Sequence, residues 1–418
     1  MNKQVSHIPS GYKPSPLGPI PENWEVKRIK EIGEVFSGGT PSTDIQEYWN
    51  GNIDWCTPTD ITSLNGAIYI ERTALKITDL GLKSSSAVLL PPNSIIVCTR
   101  ATIGNAAISL HQIATNQGFK NIAPNENIDT LFLYYTIVNN KIRLIRLGNG
   151  STFLEVSKSD FENLTIPVPP LPEQQRIVSV LSLWDTAIAK QTALIEKLTL
   201  RKHGLMQQLL TGKKRLKGFE GEWKNIKLGS VADRITRKNE EDNKNVVTIS
   251  AQRGFVVQTD FFNKSVASEI LDNYFLVHKN EFCYNKSYSN GYPMGAIKRL
   301  KSFDKAVVTT LYICFRLKEK TRTNIDFFEQ YCESGLLNKE LVKVANEGGR
   351  AHGLLNVTPA DFFNMHMRIP SIEEQTAIAS VLVNADKEIE IHKQKLAAMQ
   401  EQKRGLMQVL LTGKKRIK

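Results

Sequence analysis

The sequence predicts an α+β protein: two mixed α/β bodies separated by two long helices that form an antiparallel coiled coil, with a pseudo-twofold internal repeat. Two observations predict it. Residues 171–217 align without gaps on residues 372–418 at a constant offset of 201, and 21 of the 47 positions are identical. Self-similarity of this kind decides the architecture before any local signal does. Within each copy, apolar residues recur at alternating steps of four and three, which is the seam of a coiled coil.

In chain order, residues 1–20 carry no apolar run and are expected to be a flexible N-terminal extension. Residues 21–165 form the first body and 166–217 the first spacer helix. Residues 218–368 form the second body and 369–418 the second spacer helix. The bodies open alike, with Trp24-Glu-Val-Lys-Arg-Ile29 in one and Trp223-Lys-Asn-Ile-Lys-Leu228 in the other. These tryptophans suit a core role. Between the shared ends, residues 37–147 and 236–348 diverge beyond alignment, so one scaffold presents two different surfaces.

The first seam runs through Ile177, Leu181, Trp184, Ile188, Gln191, Ile195, Leu198, Lys202, Leu205 and Leu209. The second runs through Ile378, Leu382, Ala385, Ile389, His392, Leu396, Met399, Lys403, Leu406 and Leu410. The polar breaks recur in both copies, Gln191 with His392 and Lys202 with Lys403, and such residues fix register and partner choice. Pro172 followed by Glu173 suits a first helical turn, and Gly212 followed by Lys213-Lys214-Arg215 suits an end. Connectivity favours antiparallel pairing, because the second helix leaves the second body and must run back.

The bodies show short β-rich runs at 94–99, 106–109, 120–123, 246–249, 281–285 and 307–317, bounded by Gly, Pro and Asn. Helices are expected over 130–146 and 325–345. Strand order does not follow from the pattern. Loops carry residues able to bond base edges or phosphates: Ser37, Thr40, Arg100, Thr102, Asn116, Gln117, Asn149 and Thr152 in the first body. The second body offers Gln252, Arg253, Lys286, Asn290, Arg350 and His352. Each of these also fits a solvated turn.

A chain of 418 residues with net charge +12 has room for more than one core and suits a polyanionic partner. No apolar run approaches the ~20 residues of a membrane-spanning helix, and the N-terminus shows no secretory signal. Five cysteines without a C-x-x-C and seven scattered histidines argue against a disulfide framework or a zinc site, and a cytoplasmic location fits. There is no phosphate-binding loop: Thr211-Gly-Lys-Lys214 ends a helix instead of opening one. No metal or cofactor site and no catalytic motif is expected. Open alternatives are a free-standing regulator that dimerises through its coil, an enzyme with unfamiliar motifs, and a pure interaction scaffold.

Particular words narrow this further. They are Ser37-Gly-Gly-Thr-Pro41, Glu47-Tyr-Trp49, Trp55, Asp60-Ile61, Thr115-Asn-Gln-Gly118 and Ile166-Pro-Val-Pro-Pro-Leu-Pro-Glu-Gln-Gln-Arg-Ile177, with a looser Ile369-Pro-Ser-Ile-Glu-Glu-Gln375. With the duplicated helix, they resemble the specificity (S) subunit of type I restriction–modification systems over the chain from about Pro21. The resemblance implies two target-recognition domains, each reading half of a split, asymmetric duplex DNA site, with helices that set the unread gap. It implies two methyltransferase (M) subunits using adenosylmethionine, motor-nuclease (R) subunits using ATP and magnesium, and no catalysis by this chain. The second body lacks the Gly-Gly-Thr-Pro and Thr-Asn-Gln words, which implies a different half-site.

Overall fold

A computed structural model describes residues 8–149, 154–259, 271–319, 323–345 and 355–417. The chain divides into two compact units, residues 1–191 with 395–418 and residues 192–394.

The two long helices are Leu171–Leu209 and Ile372–Leu410, 39 residues each and equivalent under the repeat. At ~1.5 Å per residue each is about 58 Å long. Their pairing is antiparallel within each unit. In the first unit Lys403 binds Asp185 and Arg416 binds Glu173, so one number falls as the other rises. In the second unit Lys202 binds Asp386 (2.6 Å) and Arg215 binds Glu374. No seam residue is exposed: Ile177, Leu181, Leu198 and Leu209 are buried, and Trp184, Ile188, Ile195 and Leu205 half-buried. In the second helix Ile378, Leu382, Ile389 and Leu410 are buried, and Leu396, Met399 and Leu406 half-buried.

Each unit is built on the same four-stranded order, despite the divergence of the bodies. In the first, Gly33–Ser37, Phe119–Pro124, Ile95–Cys98 and Ala106–Ser109 lie side by side, all antiparallel, and Tyr69–Ile70 adds a parallel fifth strand. In the second, Ala232–Ile235, Ile313–Leu317, Phe282–Asn285 and Ala296–Arg299 repeat that order. A two-stranded ribbon leads into each long helix: Glu25–Arg28 with Thr165–Val168, and Lys224–Lys227 with His366–Ile369. Consecutive central strands read as buried apolar runs because helices cover the sheet.

Four expectations need correction. The helix expected over 130–146 is two, Thr130–Asn139 and Lys141–Leu147, because Asn140 folds its side-chain amide back onto the Thr136 carbonyl (2.8 Å). The helix expected over 325–345 is also two, Ile325–Glu333 and Asn338–Val344, separated by Gly335 at φ 72°. The run at 307–317 is two strands, Lys305–Val308 and Ile313–Leu317. The supposed extension also has structure from residue 8. Tyr12–Lys13 pairs with Ile20–Pro21, and Ile20 is buried with Trp24, Ile177, Leu181, Leu410 and Leu411. Trp24 and Trp223 are both buried, as a core role requires.

The bodies are mounted on the helices in the same way twice. Gln174, buried, accepts the backbone N–H of Asp129 (2.8 Å) and donates to the Pro169 carbonyl (2.9 Å). Gln375, buried, accepts the backbone N–H of Asn324 (3.0 Å) and donates to the Pro370 carbonyl (3.0 Å). Asp129 and Asn324 cap the helix that follows by accepting from Phe132 and Phe327. Six residues on from each cap, Tyr135 donates to Asp185 (2.5 Å) and Gln330 donates to Asp386 (2.7 Å). Each aspartate thus joins a body to both long helices.

Candidate nucleic-acid interface

In the first unit the loops at one end of the central strands are tied together by their own backbones. The strand Ile95–Cys98 runs into Thr99, whose N–H and hydroxyl both donate to the Gly118 carbonyl (2.8 and 3.1 Å). Gly39 N–H donates to the Thr115 carbonyl (2.9 Å), which brings the 37–40 loop alongside. A Cβ on Gly38 would stand 1.7 Å from the Asn116 carbonyl oxygen, so only glycine permits this approach. Asn149 and Glu155 exchange two backbone hydrogen bonds (2.9 and 3.0 Å), and Val156 N–H donates to the Thr99 carbonyl (3.1 Å). Beneath the loops, Trp55 Nε1 donates to the Gly39 carbonyl (2.9 Å), and Trp49 meets Trp55 edge to face at 5.0 Å.

This construction brings Ser37, Thr40, Arg100, Asn116, Gln117 and Asn149 to one patch. The Thr40 hydroxyl donates to Gln117 Oε1. Gln117 and Asn149 are exposed. Asn116 turns its side-chain oxygen onto Gly118 N–H (2.9 Å), which makes it a turn-former first. Arg100 is paired with Glu155 at 2.5 Å, and Glu155 also faces Lys120 at 3.6 Å. Thr102 does not share this exposure: its hydroxyl oxygen is buried. Thr152 lies outside the described residues.

The electrostatics centre on Glu155. Burial pushes its carboxyl up, but Arg100 and Lys120 outweigh that and hold it below the ordinary carboxylate range. Burial draws the Lys120 ammonium below its usual value against the pull of Glu155. Neither Glu155 nor Lys120 stands out in the sequence. The available signal was a lone acid beside the Gly148–Thr152 loop, and its partners come from strands remote in sequence.

In the second unit the equivalent loops form a cavity of about 420 Å³, lined among others by Ser250, Gln252, Asn285, Ser287, Tyr288 and Tyr312. Gln252 Nε2 donates to the Asn290 carbonyl (2.9 Å), which joins two of the expected loops. Arg253 N–H is held by the Ser250 hydroxyl (3.2 Å), Lys286 is half-buried, and burial lowers its ammonium pKa. Leu355 N–H donates to the Lys286 carbonyl (3.1 Å), much as Val156 does to Thr99. Tyr288, 66% exposed, adds an aromatic face that the sequence did not mark. Arg350 and His352 lie outside the described residues. Among the described residues no helix is long and apolar enough to cross a membrane.

Comparison with known proteins bears on both units. The chain is 41% identical over 194 residues to the type I restriction enzyme MjaIX specificity subunit of Methanocaldococcus jannaschii, and the match spans 45% of each chain, less than half of that protein. It is 24% identical over 423 residues to the MjaVIII specificity subunit of the same organism, covering 96% of this chain and 94% of that one. In fold it is similar to the crystal structure of the S subunit from M. genitalium, with a TM-score of 0.50 at 15% identity over 93% and 96% of the chains. The profile of the type I restriction modification DNA specificity domain matches twice, over residues 21–200 and 220–401. Each match takes in one body and most of the helix after it, and the chain belongs to the type I restriction modification DNA specificity domain family.

Proposed function

We propose that this chain is the DNA-reading subunit of a type I restriction–modification assembly, reading a split, asymmetric duplex site with one body per half. The observation that carries the reading is one duplicated mount presenting two unlike polar surfaces. Identical mounts with identical surfaces would suit a palindrome; these two surfaces carry different polar residues. The net charge of +12 supports a polyanionic partner.

The chain scaffolds two methyltransferase (M) subunits and the restriction or motor (R) subunits, and does no chemistry itself. Adenosylmethionine, ATP and magnesium belong to those partners. The long helices set the length of the unread gap, and the site of action is cytoplasmic.

The test is to co-express the chain with a cognate methyltransferase subunit, in a host lacking DNA methylation, and to map methylated adenines. A motif of two unlike halves around a fixed gap, absent when this chain is omitted, is the expected result. A soluble assembled complex that writes no motif would overturn the assignment.

A further inference from the structure

We propose that Arg100 and Glu155 form one base-reading element of the first body: Glu155 holds one N–H of the terminal Nη2, and the two-donor edge left free presents two parallel N–H donors to a guanine in the major groove. The proposal rests on the DNA-reader assignment above. Guanine offers two adjacent acceptors in that groove, and arginine is the side chain whose paired donors match them.

Several features of the site converge on this role. Arg100 is 44% exposed in its side chain, yet its direction is set, because one terminal nitrogen lies 2.5 Å from Glu155. Glu155 is itself fixed: its backbone exchanges two hydrogen bonds with Asn149, and its other carboxylate oxygen faces Lys120, whose side chain is only 7% exposed. The buried lysine thus anchors the carboxylate, and the carboxylate aims the arginine. The residue after Arg100 is Ala101 at φ 53°, a left-handed conformation that alanine rarely adopts, held by Thr102 N–H donating to the Arg100 carbonyl (2.5 Å). Ala101 itself is exposed, so its strained conformation buries no side chain of its own, and strain of this kind collects at functional turns.

Stability accounts for Glu155 facing the buried Lys120 but not for Arg100, since a partly exposed ion pair contributes little. General attraction to DNA does not explain it either. A carboxylate beside the phosphates weakens binding, and an arginine meant only for a phosphate is better left unpaired. Specificity does explain it, because a fixed guanidinium rejects a wrong base more sharply than a mobile one. Gln117 and Thr40, joined to each other in the same patch, are placed to contact the neighbouring base pair or backbone.

The test compares the wild-type chain with Arg100→Lys and Glu155→Gln, each co-expressed with the methyltransferase subunit, by mapping methylated adenines. Expected is relaxation at one and the same base pair in one half of the motif, with methylation of sites bearing the wrong base there rising about tenfold. The other half of the motif is read by the other body and serves as a folding control. The proposal is overturned if Arg100→Lys keeps the wild-type motif at wild-type stringency. It is also overturned if methylation falls evenly with no position relaxed, which is the signature of a phosphate contact. If Glu155→Gln writes no motif at all, Arg100→Lys alone decides. A wild-type chain that writes no split motif sinks the reader assignment instead, and the reading pair with it.

Discussion

Arg416 and Glu173 show how much a single pair carries in the first unit. The guanidinium meets the carboxylate with both Nε and an Nη (2.9 and 2.8 Å), and the Glu173 side chain is only 3% exposed. Removing Arg416 leaves a buried carboxylate unpaired, so Arg416→Met should cost about 2 kcal/mol, read as a lower urea midpoint. Adding Glu173→Gln should recover part of the loss; a double variant no better than the single would show that the charge is not what matters. The pH dependence follows from the same pair. Burial pushes the Glu173 carboxyl up, and Arg416, aided by Trp24 and Asn23, more than compensates, so the folded pKa is depressed. A depressed carboxylate stabilises the fold fully above its unfolded value of about 4.3, and that stability is lost as pH falls through the folded value. The urea midpoint of the wild type should therefore drop more steeply between pH 5 and 3 than that of Glu173→Gln. The sequence displayed both members at repeated positions, Glu173 with Glu374 and Arg215 with Arg416. It could not show which acid meets which arginine, since that depends on helix direction.

At the scale of elements, each long helix carries an aspartate and a lysine 17 positions apart, Asp185 with Lys202 and Asp386 with Lys403. Antiparallel pairing sets Asp185 against Lys403 and Lys202 against Asp386. Parallel pairing of equivalent positions would set acid against acid and base against base. Asp185→Lys should accordingly lower the thermal midpoint by several degrees, and Lys403→Asp in the same chain should restore most of it. Without restoration, the pair would not be the determinant of register. Lys202 and Lys403 stood out in the sequence as breaks in an apolar seam, but their partners did not, because each aspartate sits one position beyond a seam residue. Helix existence and extent were legible because a heptad repeats locally. Strand order was not, because the pairing of Gly33–Ser37 with Phe119–Pro124 spans some ninety residues that no local pattern relates. The same pairing rule sharpens the gap prediction. Seven residues inserted after Leu198 alone move Lys202 off Asp386. Seven more inserted in the facing stretch of the second helix, after Glu390, restore the register. The matched insertion should lengthen the unread gap by about three base pairs with both halves unchanged, since seven residues add about 10 Å. Altered halves with an unchanged gap would remove the helices from that role.

For the whole molecule, the charge balance makes binding a question of salt. DNA affinity of the chain assembled with its methyltransferase partner should fall on a log–log plot against salt, with a slope of about −0.9 per phosphate neutralised. Anisotropy measured between 50 and 200 mM salt would show it, and a flat response would make the net charge incidental. The candidate reading residues were legible as loop chemistry and only partly as a patch. Ser37, Thr40, Arg100, Gln117 and Asn149 converge, while Thr102 turns its hydroxyl inward. Glutamates and lysines such as Glu155 and Lys120 become visible only when the fold brings their strands together. The two mounting glutamines have a consequence of a different kind. Gln174 and Gln375 hold their bodies by a main-chain N–H and a main-chain carbonyl, groups that every non-proline residue supplies. The glutamine contact does not depend on which residue supplies the main-chain groups, while Asp185 and Asp386 grip particular body side chains, Tyr135 and Gln330. A body can therefore change its exposed loops and keep its seat, provided that the helix carrying Tyr135 or Gln330 is retained.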